Sequence, residues 1–168
     1  MKSIIVNGWF FMESNDKKLK EYVVEELPQP MVSDSEVTYG TFMEDKLQVA
    51  KAVRHGVSFP LFEEIRGNSP LSDKQWANLL GVNIRTFQRY LKDEDHIFNS
   101  LQSERIFELA EVFTAGNALF DEEAHFLQWL QLPCLALGGE APIQLLDSSY
   151  GKDLVMAELN RIEHGIFV

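Results

Sequence analysis

The sequence predicts an all-α chain: a helix-turn-helix domain followed by a second, small helical domain. Three observations predict it. From Phe42 onward, apolar residues recur at three- and four-residue steps, the helical period. Ser, Asn, Asp or Pro stands before the runs and Gly or Pro after them, at spacings of helix length. No convincing strand alternation, internal repeat or low-complexity tract follows residue 40. Residues 1–42 read as a leader or arm, 43–117 as the helix-turn-helix domain and 118–168 as the second domain.

The leader opens on Met1-Lys-Ser-Ile-Ile-Val-Asn-Gly-Trp-Phe-Phe-Met12. Asn7 and Gly8 split its apolar stretch and no small-residue cleavage site follows, which argues against a signal peptide. A packed arm, or a chain whose translation starts at Met12, accounts for it better. Residues 13–41 are polar and turn-rich, with Pro28, Pro30 and Ser33-Asp34-Ser35, and carry one expected helical turn around Lys17–Glu26. From Phe42 a helix carries Leu47, Ala50 and Val53, or Val49 and Ala52 beside them, and Gly56 stops it. Phe59-Pro60-Leu61-Phe62 begins a second, with Pro60 in its first turn and Gly67 at its end. Ser72 caps a third helix and Asn83 a fourth. Ser103, or a residue just before it, opens a long one through Ile106, Leu109, Ala110 and Phe113. Asp121 is the expected N-cap of a helix carrying Ala124, Phe126, Leu127 and Leu130, closed by Pro133. Ala136-Leu-Gly-Gly139 is a turn, and Pro142 starts a short helix through Leu145 and Leu146. The last helix runs from about Tyr150 to Glu163, with Val155, Leu159 and Ile162 on one face and Gly165 as its stop.

Of 168 residues, 45% are hydrophobic and 24% charged, an ordinary globular composition. The single cysteine, Cys134, excludes a disulfide framework and a multi-cysteine zinc site. No apolar run reaches the roughly 20 residues of a membrane span, and a cytoplasmic protein without membrane partners is expected. The formal net charge of −11 opposes nucleic acid if spread evenly. It is not spread evenly. Residues 1–45 hold 4 basic and 9 acidic residues, 46–105 hold 9 and 7, and 106–168 hold 2 and 10. Only the middle stretch is fit to meet phosphate.

That stretch contains Asp73-Lys-Gln-Trp-Ala-Asn-Leu-Leu-Gly-Val-Asn-Ile-Arg-Thr-Phe-Gln-Arg-Tyr-Leu91. Two steeply crossing helices need a small residue where their backbones meet, and Ala77 supplies it. Their turn needs a residue content with positive φ, and Gly81 lies four residues on. Val82, Phe87, Tyr90 and Leu91 can anchor the second helix. Asn83 caps it, and Arg85, Thr86, Gln88, Arg89 and Lys92 face outward. Such a face suits a recognition helix in the major groove: Arg for guanine, Gln for adenine, Lys and Thr for phosphates. Residues 71–92 carry Lys74, Arg85, Arg89 and Lys92 against Asp73 alone, and Asp93-Glu94-Asp95 end the surface. The competing reading is a helical hairpin with a solvated polar face. One module makes few phosphate contacts, so a dimer reading two half-sites is expected.

Further on stand Trp129-Leu130 followed by Pro133, then Ala136-Leu-Gly-Gly139, Pro142, Leu145-Leu-Asp147, Gly151 and Arg161-Ile-Glu-His-Gly165. In order and spacing, these resemble the toxin-binding C-terminal domain of the MbcA/ParS/Xre antitoxins. The helix-turn-helix lies directly upstream, as in that family, so the resemblance covers roughly residues 43–168. Cys134 stands where the family usually has a polar residue such as Asn. The resemblance implies a type II antitoxin without catalysis. Its partner would be a RES-domain toxin, an enzyme that consumes NAD, whose active site it covers. It would also repress its own operon by binding operator DNA as a homodimer within a larger toxin-antitoxin complex. The motif carried over is Gly138, Gly139, Pro142, Arg161, Glu163, His164 and Gly165. Arg161 and Glu163 would be the polar contacts to the toxin, and Ile166 and Phe167 the inserted apolar end.

On the residues alone, the Gly165-Ile-Phe-Val168 tail can be buried either by a partner or by the chain's own core. A stand-alone helix-turn-helix regulator, with an acidic C-terminal domain for another protein or a small ligand, also fits. The acidity of residues 106–168 suits a cleft built to receive an anionic dinucleotide. Other chemistry is weaker. Glu122 and His125 have a metal-compatible i, i+3 spacing but no second pair, so no metal is expected. Gly138-Gly139 lacks the following Lys-Ser/Thr of a phosphate loop. Glu163 and His164 have no accompanying nucleophile. Trp76, Trp129 and most Phe residues fall at core spacing. No catalytic set and no cofactor site is expected.

Overall fold

The computed structural model describes residues 42, 43 and 45–165. The expectations for the leader up to Thr41, and for Ile166 and Phe167, fall outside the described residues. Eight helices appear among those described: α1 Lys46–His55, α2 Phe59–Gly67, α3 Asp73–Leu79, α4 Ile84–Tyr90, α5 Ser100–Leu119, α6 Glu123–Gln131, α7 Pro142–Leu145 and α8 Ser149–Glu163. A 3-10 turn, Leu135–Leu137, lies between α6 and α7. No strand occurs among the described residues, and the one antiparallel bridge pairs Ser58 with Ile97. The described residues are all-α, as the periodicity predicts. No helix among those described is long and apolar enough to cross a membrane.

The chain divides into two compact units. The first runs to Ser69 and resumes over Asp73–Phe107; the second holds Pro70–Ser72 and everything from Glu108 on.

In the first unit, Asp45 caps α1, its Oδ1 accepting from the Leu47 and Gln48 amides at 3.0 and 3.1 Å. Gly56 terminates α1 and Pro60 sits in the first turn of α2, both where the sequence places them. The core is a cluster of rings around Phe62, which meets Trp76 edge-on at 5.2 Å, Phe87 at 6.0 Å and Phe98 at 4.6 Å. All four are buried, and such ring pairs add stability beyond their area. The Trp76 indole N–H donates to Ser69 Oγ at 2.8 Å, so the largest buried side chain leaves no donor unpaired.

The long helix takes the earlier of the two starts expected for it, just before Ser103. It opens at Ser100, and its cap is Asn99, whose Oδ1 accepts from the Gln102 amide at 3.0 Å. Ser103 is buried in the helix. Its Oγ accepts from the Val57 amide at 2.8 Å and donates to the Phe98 carbonyl at 3.1 Å. Ser103 thereby ties the loop after α1 to the loop before α5. The backbone bonds Phe59 N–H to His96 O and Phe98 N–H to Val57 O, both 2.9 Å, complete that junction.

In the second unit, α6 corrects an expectation. Its N-cap position is Glu122, without a side-chain cap bond, and Asp121 is an exposed residue before it. Phe120 and Trp129 stack on Phe126 at 5.5 and 6.2 Å and meet each other tilted at 5.8 Å. Ser148 caps α8, its Oγ accepting from the Gly151 amide at 3.2 Å. Gly151 is buried where α8 starts after α7, and a Cβ there would collide with the Leu145 carbonyl. Val155 and Leu159 continue the buried face of α8, with Ile162 half-buried beyond them. Lys152 Nζ reaches Glu111 at 2.9 Å and Asp153 at 3.1 Å, which ties α8 to α5. Burial works against its charge, but these two carboxylates outweigh it and hold its pKa above the ordinary value.

Candidate functional site

The geometry of α3 and α4 is that of a helix-turn-helix. Ala77 and Trp76 are buried on α3. Gly81 takes φ +67, its N–H donating to Asn78 O at 3.0 Å, while the Val82 N–H donates to Ala77 O at 2.9 Å. These two bonds form a Schellman motif, and the left-handed residue between them turns the chain sharply into α4. Asn83 then caps α4, its Oδ1 accepting from the Thr86 amide at 2.9 Å.

Phe87 anchors α4 with 0% of its surface exposed, and Val82, Tyr90 and Leu91 are half-buried beside it. Asn83, Arg85, Gln88, Arg89 and Lys92 are exposed, and Thr86 is half-buried. Ile84, at the head of α4, is also exposed, a feature that sequence reasoning passed over. Its position just after the cap was the signal, because the first turn of a steeply docked helix has little core to face. Arg66 neutralises the acid of this region: its Nη1 lies 2.8 Å from Asp73 Oδ1, and it holds Glu63 by two further bonds at 2.8 and 3.2 Å. The hydrogen bonds to Glu63 hold the Arg66 pKa above its ordinary value despite burial. The exposed cations of α4 therefore meet little unpaired acid until Asp93, Glu94 and Asp95, all exposed.

In the second unit the carried-over residues fall in three places. Gly138 and Gly139 are exposed, with φ +73 and +86, in the turn after the 3-10 segment. Pro142 is buried at the start of α7. Arg161, Glu163, His164 and Gly165 form the end of α8. The Arg161 guanidinium pairs with Glu158 at 2.6 Å, and Glu163 and His164 are exposed. Gly165, at φ +66, donates its N–H to Ile162 O at 3.0 Å and stops the helix as expected. Sequence reasoning did not single out the apolar side chains this unit leaves in water: Leu135 is 95% exposed, Tyr150 88%, Leu154 55% and Leu132 53%. Glu122 and His125 are exposed, and no group of three or more metal-ligating side chains gathers among the described residues.

Comparison with known proteins now bears on both units. A family model described as the antitoxin Xre-like helix-turn-helix domain matches residues 48–111. A second, the antitoxin Xre/MbcA/ParS C-terminal toxin-binding domain, matches residues 115–165. The matches lie in that family's order along one chain. The chain belongs to the Xre/MbcA/ParS family of antitoxins. Two proteins named Antitoxin Xre are similar to it. That of Photorhabdus laumondii is 27% identical over 115 residues, 68% of this chain and 77% of the relative. That of Yersinia enterocolitica is 26% identical over 117 residues, 69% of this chain and 78% of the relative. The antitoxin thus joins a helix-turn-helix, whose polar face is built on α4, to a toxin-binding domain whose exposed apolar residues lie on and before α8.

Proposed function

We propose that this antitoxin neutralises a RES-domain, NAD-consuming toxin by covering its active site, and that it represses its own operon through α4. It acts in the cytoplasm as a homodimer within a larger toxin-antitoxin complex, and it performs no catalysis itself. One observation carries the reading: a capped, core-anchored helix with an exposed Arg/Gln/Arg face shares a chain with a matched toxin-binding domain.

The DNA contacts are Asn83, Arg85, Thr86, Gln88, Arg89 and Lys92. Arg85 and Gln88 read base edges, Arg89 and Lys92 hold phosphates, and Ile84 can meet a thymine methyl. Two copies are needed because a single module of this size makes few phosphate contacts. The end of α8 enters the toxin cleft. Arg161 and Glu163 make polar contacts there, Ile166 and Phe167 supply the apolar end, and His164 and Gly165 set where the helix stops. Gly138, Gly139 and buried Pro142 shape the domain that presents them. The acidity of the C-terminal third, 2 basic against 10 acidic residues, complements a cleft that receives an anionic dinucleotide.

The test is co-expression. Cells carrying the RES-domain toxin from the same operon should stop growing and lose NAD, and this antitoxin should restore both. Growth arrest and NAD loss that persist despite full antitoxin expression would refute the assignment.

A further inference from the structure

On α8 and its C-cap, Tyr150, Leu154, Ala157, Arg161 and His164 follow one another at steps of four, three, four and three residues. At about 100° per residue they share one face, within an arc of about 80°. The opposite face holds Gly151, Val155 and Leu159, which are buried. Tyr150 and Leu154 are 88% and 55% exposed, Ala157 and His164 are exposed, and Arg161 is half-buried in its pair with Glu158. A tyrosine and a leucine at i, i+4 on the outer face of a helix do nothing for the core. Exposed apolar side chains gathered this way mark a surface that something covers.

We infer that this stripe is the principal toxin-docking surface, with Tyr150 and Leu154 as its anchors and the Arg161–Gly165 end as its continuation. The inference rests on the antitoxin reading above. Three observations identify the occupant. The stripe lies wholly inside the segment matched as a toxin-binding domain. It runs without interruption into Arg161 and His164, where the family motif sits. The charge of the segment weighs against self-pairing: residues 106–168 carry 10 acids and 2 bases, and Asp153 is exposed at the edge of the stripe. Two copies meeting at this face would bring like charges together. A protein with an apolar recess inside a basic rim would not. Tyrosine is enriched among interface anchors because it covers a large area with few torsions to freeze. The toxin therefore meets α8 along its length, and the C-terminal end enters a cleft from a helix already seated beside it.

The experiment uses the full antitoxin and the purified RES-domain toxin of the same operon. Binding is measured for the wild type and for the double variant Tyr150→Ser, Leu154→Ser. Both residues are exposed, so the variant keeps the wild-type circular dichroism and melting curve. Toxin affinity should fall about a hundredfold, while operator affinity stays unchanged. A folded double variant that binds toxin as tightly as the wild type overturns the stripe alone. A variant that keeps its toxin affinity but dissociates to monomers in sedimentation assigns the face to a second copy, and also overturns it. A wild-type chain that fails to bind the toxin overturns the toxin reading itself, and this occupant with it.

Discussion

In the first unit, Phe62, Trp76, Phe87 and Phe98 are buried against one another, and α4 shows water Arg85, Gln88 and Arg89. In the second, Tyr150 and Leu154 stand in water, while Lys152 keeps only 14% of its side chain exposed between two carboxylates. Exposing a phenol and a leucine runs against what folding alone favours, whereas the half-buried Lys152 is held in its charged form by its two carboxylates. On the function proposed above, the contrast separates two kinds of face. A face for phosphate needs fixed polar groups on a helix that cannot shift, and the ring cluster under α4 provides that. A face for another protein needs apolar surface held in reserve, which on that reading Tyr150 and Leu154 supply.

The contrast predicts a double dissociation, the largest effect expected. Deleting residues 161–168 should abolish neutralisation of the toxin and leave operator binding within about twofold, because the proposed DNA contacts all lie on α4 and its ends. Arg85→Ala with Arg89→Ala should do the reverse. Operator affinity should drop about a hundredfold and the slope of its logarithm against log salt should flatten by about two, with rescue of growth unchanged. Fluorescence anisotropy across a salt series reads the second half, and growth in co-expression reads the first. A truncated chain that still neutralises the toxin would show that the helix end is not part of the toxin contact.

A smaller effect distinguishes the units by stability. Gly151→Ala places a methyl group against the Leu145 carbonyl. Overpacking of that kind costs about 1–3 kcal/mol, and the better helix propensity of alanine returns less than about 1 kcal/mol. Amide exchange in α8 should speed up roughly tenfold, while exchange in α4 stays as it was. Unchanged exchange in α8 would mean that α7 gives way easily, and that the close approach of the two helices is not what holds the second unit together.

The parts of this design that were legible in the sequence are those decided locally. Gly56, Pro60, Gly81, Asn83 and Gly165 each act on their own turn of chain, and each sits where its chemistry required. Residues whose role depends on distant chain were not legible. Ser103 looked like a helix cap because serine usually is one. Its partner, the Val57 amide, lies 46 residues away, and nothing local shows that a loop passes there. Asp121 looked like a better cap than Glu122 on propensity, but the turn after α5 brings Glu122 to the cap position without using either carboxylate. Tyr150 and Leu154 were within reach. They fall off the Val155–Leu159 stripe by a third of a turn or more, and that offset was the available signal. The exposure of Arg85, Gln88, Arg89 and Lys92 was legible, though Thr86 is half-buried, because a polar face needs no partner to be recognised, whereas an exposed apolar one resembles core until the fold is known.

The smallest expected effect concerns pH, and it bears on the rigidity of the first unit. His96 stacks on Tyr90 at 4.0 Å and meets Phe98 edge-on at 4.7 Å. Its Nε2 is buried with no hydrogen-bond partner among the described residues, and its Nδ1 lies 4.0 Å from Asp93 Oδ2. Burial holds its pKa below the ordinary 6.5; Asp93 pulls it up and Arg89 pushes it down. The folded chain therefore takes up this proton less readily than the unfolded one. The stabilising contribution is whole above about pH 6.5 and is lost as pH falls below it. Lys152 behaves oppositely: its pKa is raised, so its contribution is complete below its ordinary 10.5 and is lost only as pH rises beyond that. Between pH 7 and 5, Lys152 leaves the second unit untouched, while His96 weakens the seat of Tyr90 at the end of α4. Melting curves at the two pH values should show the wild-type first unit falling, and His96→Phe, which keeps the stack and removes the titration, should remove most of that fall. A His96→Phe chain with the wild-type pH dependence would place the acid sensitivity elsewhere and leave the ring stack as packing alone.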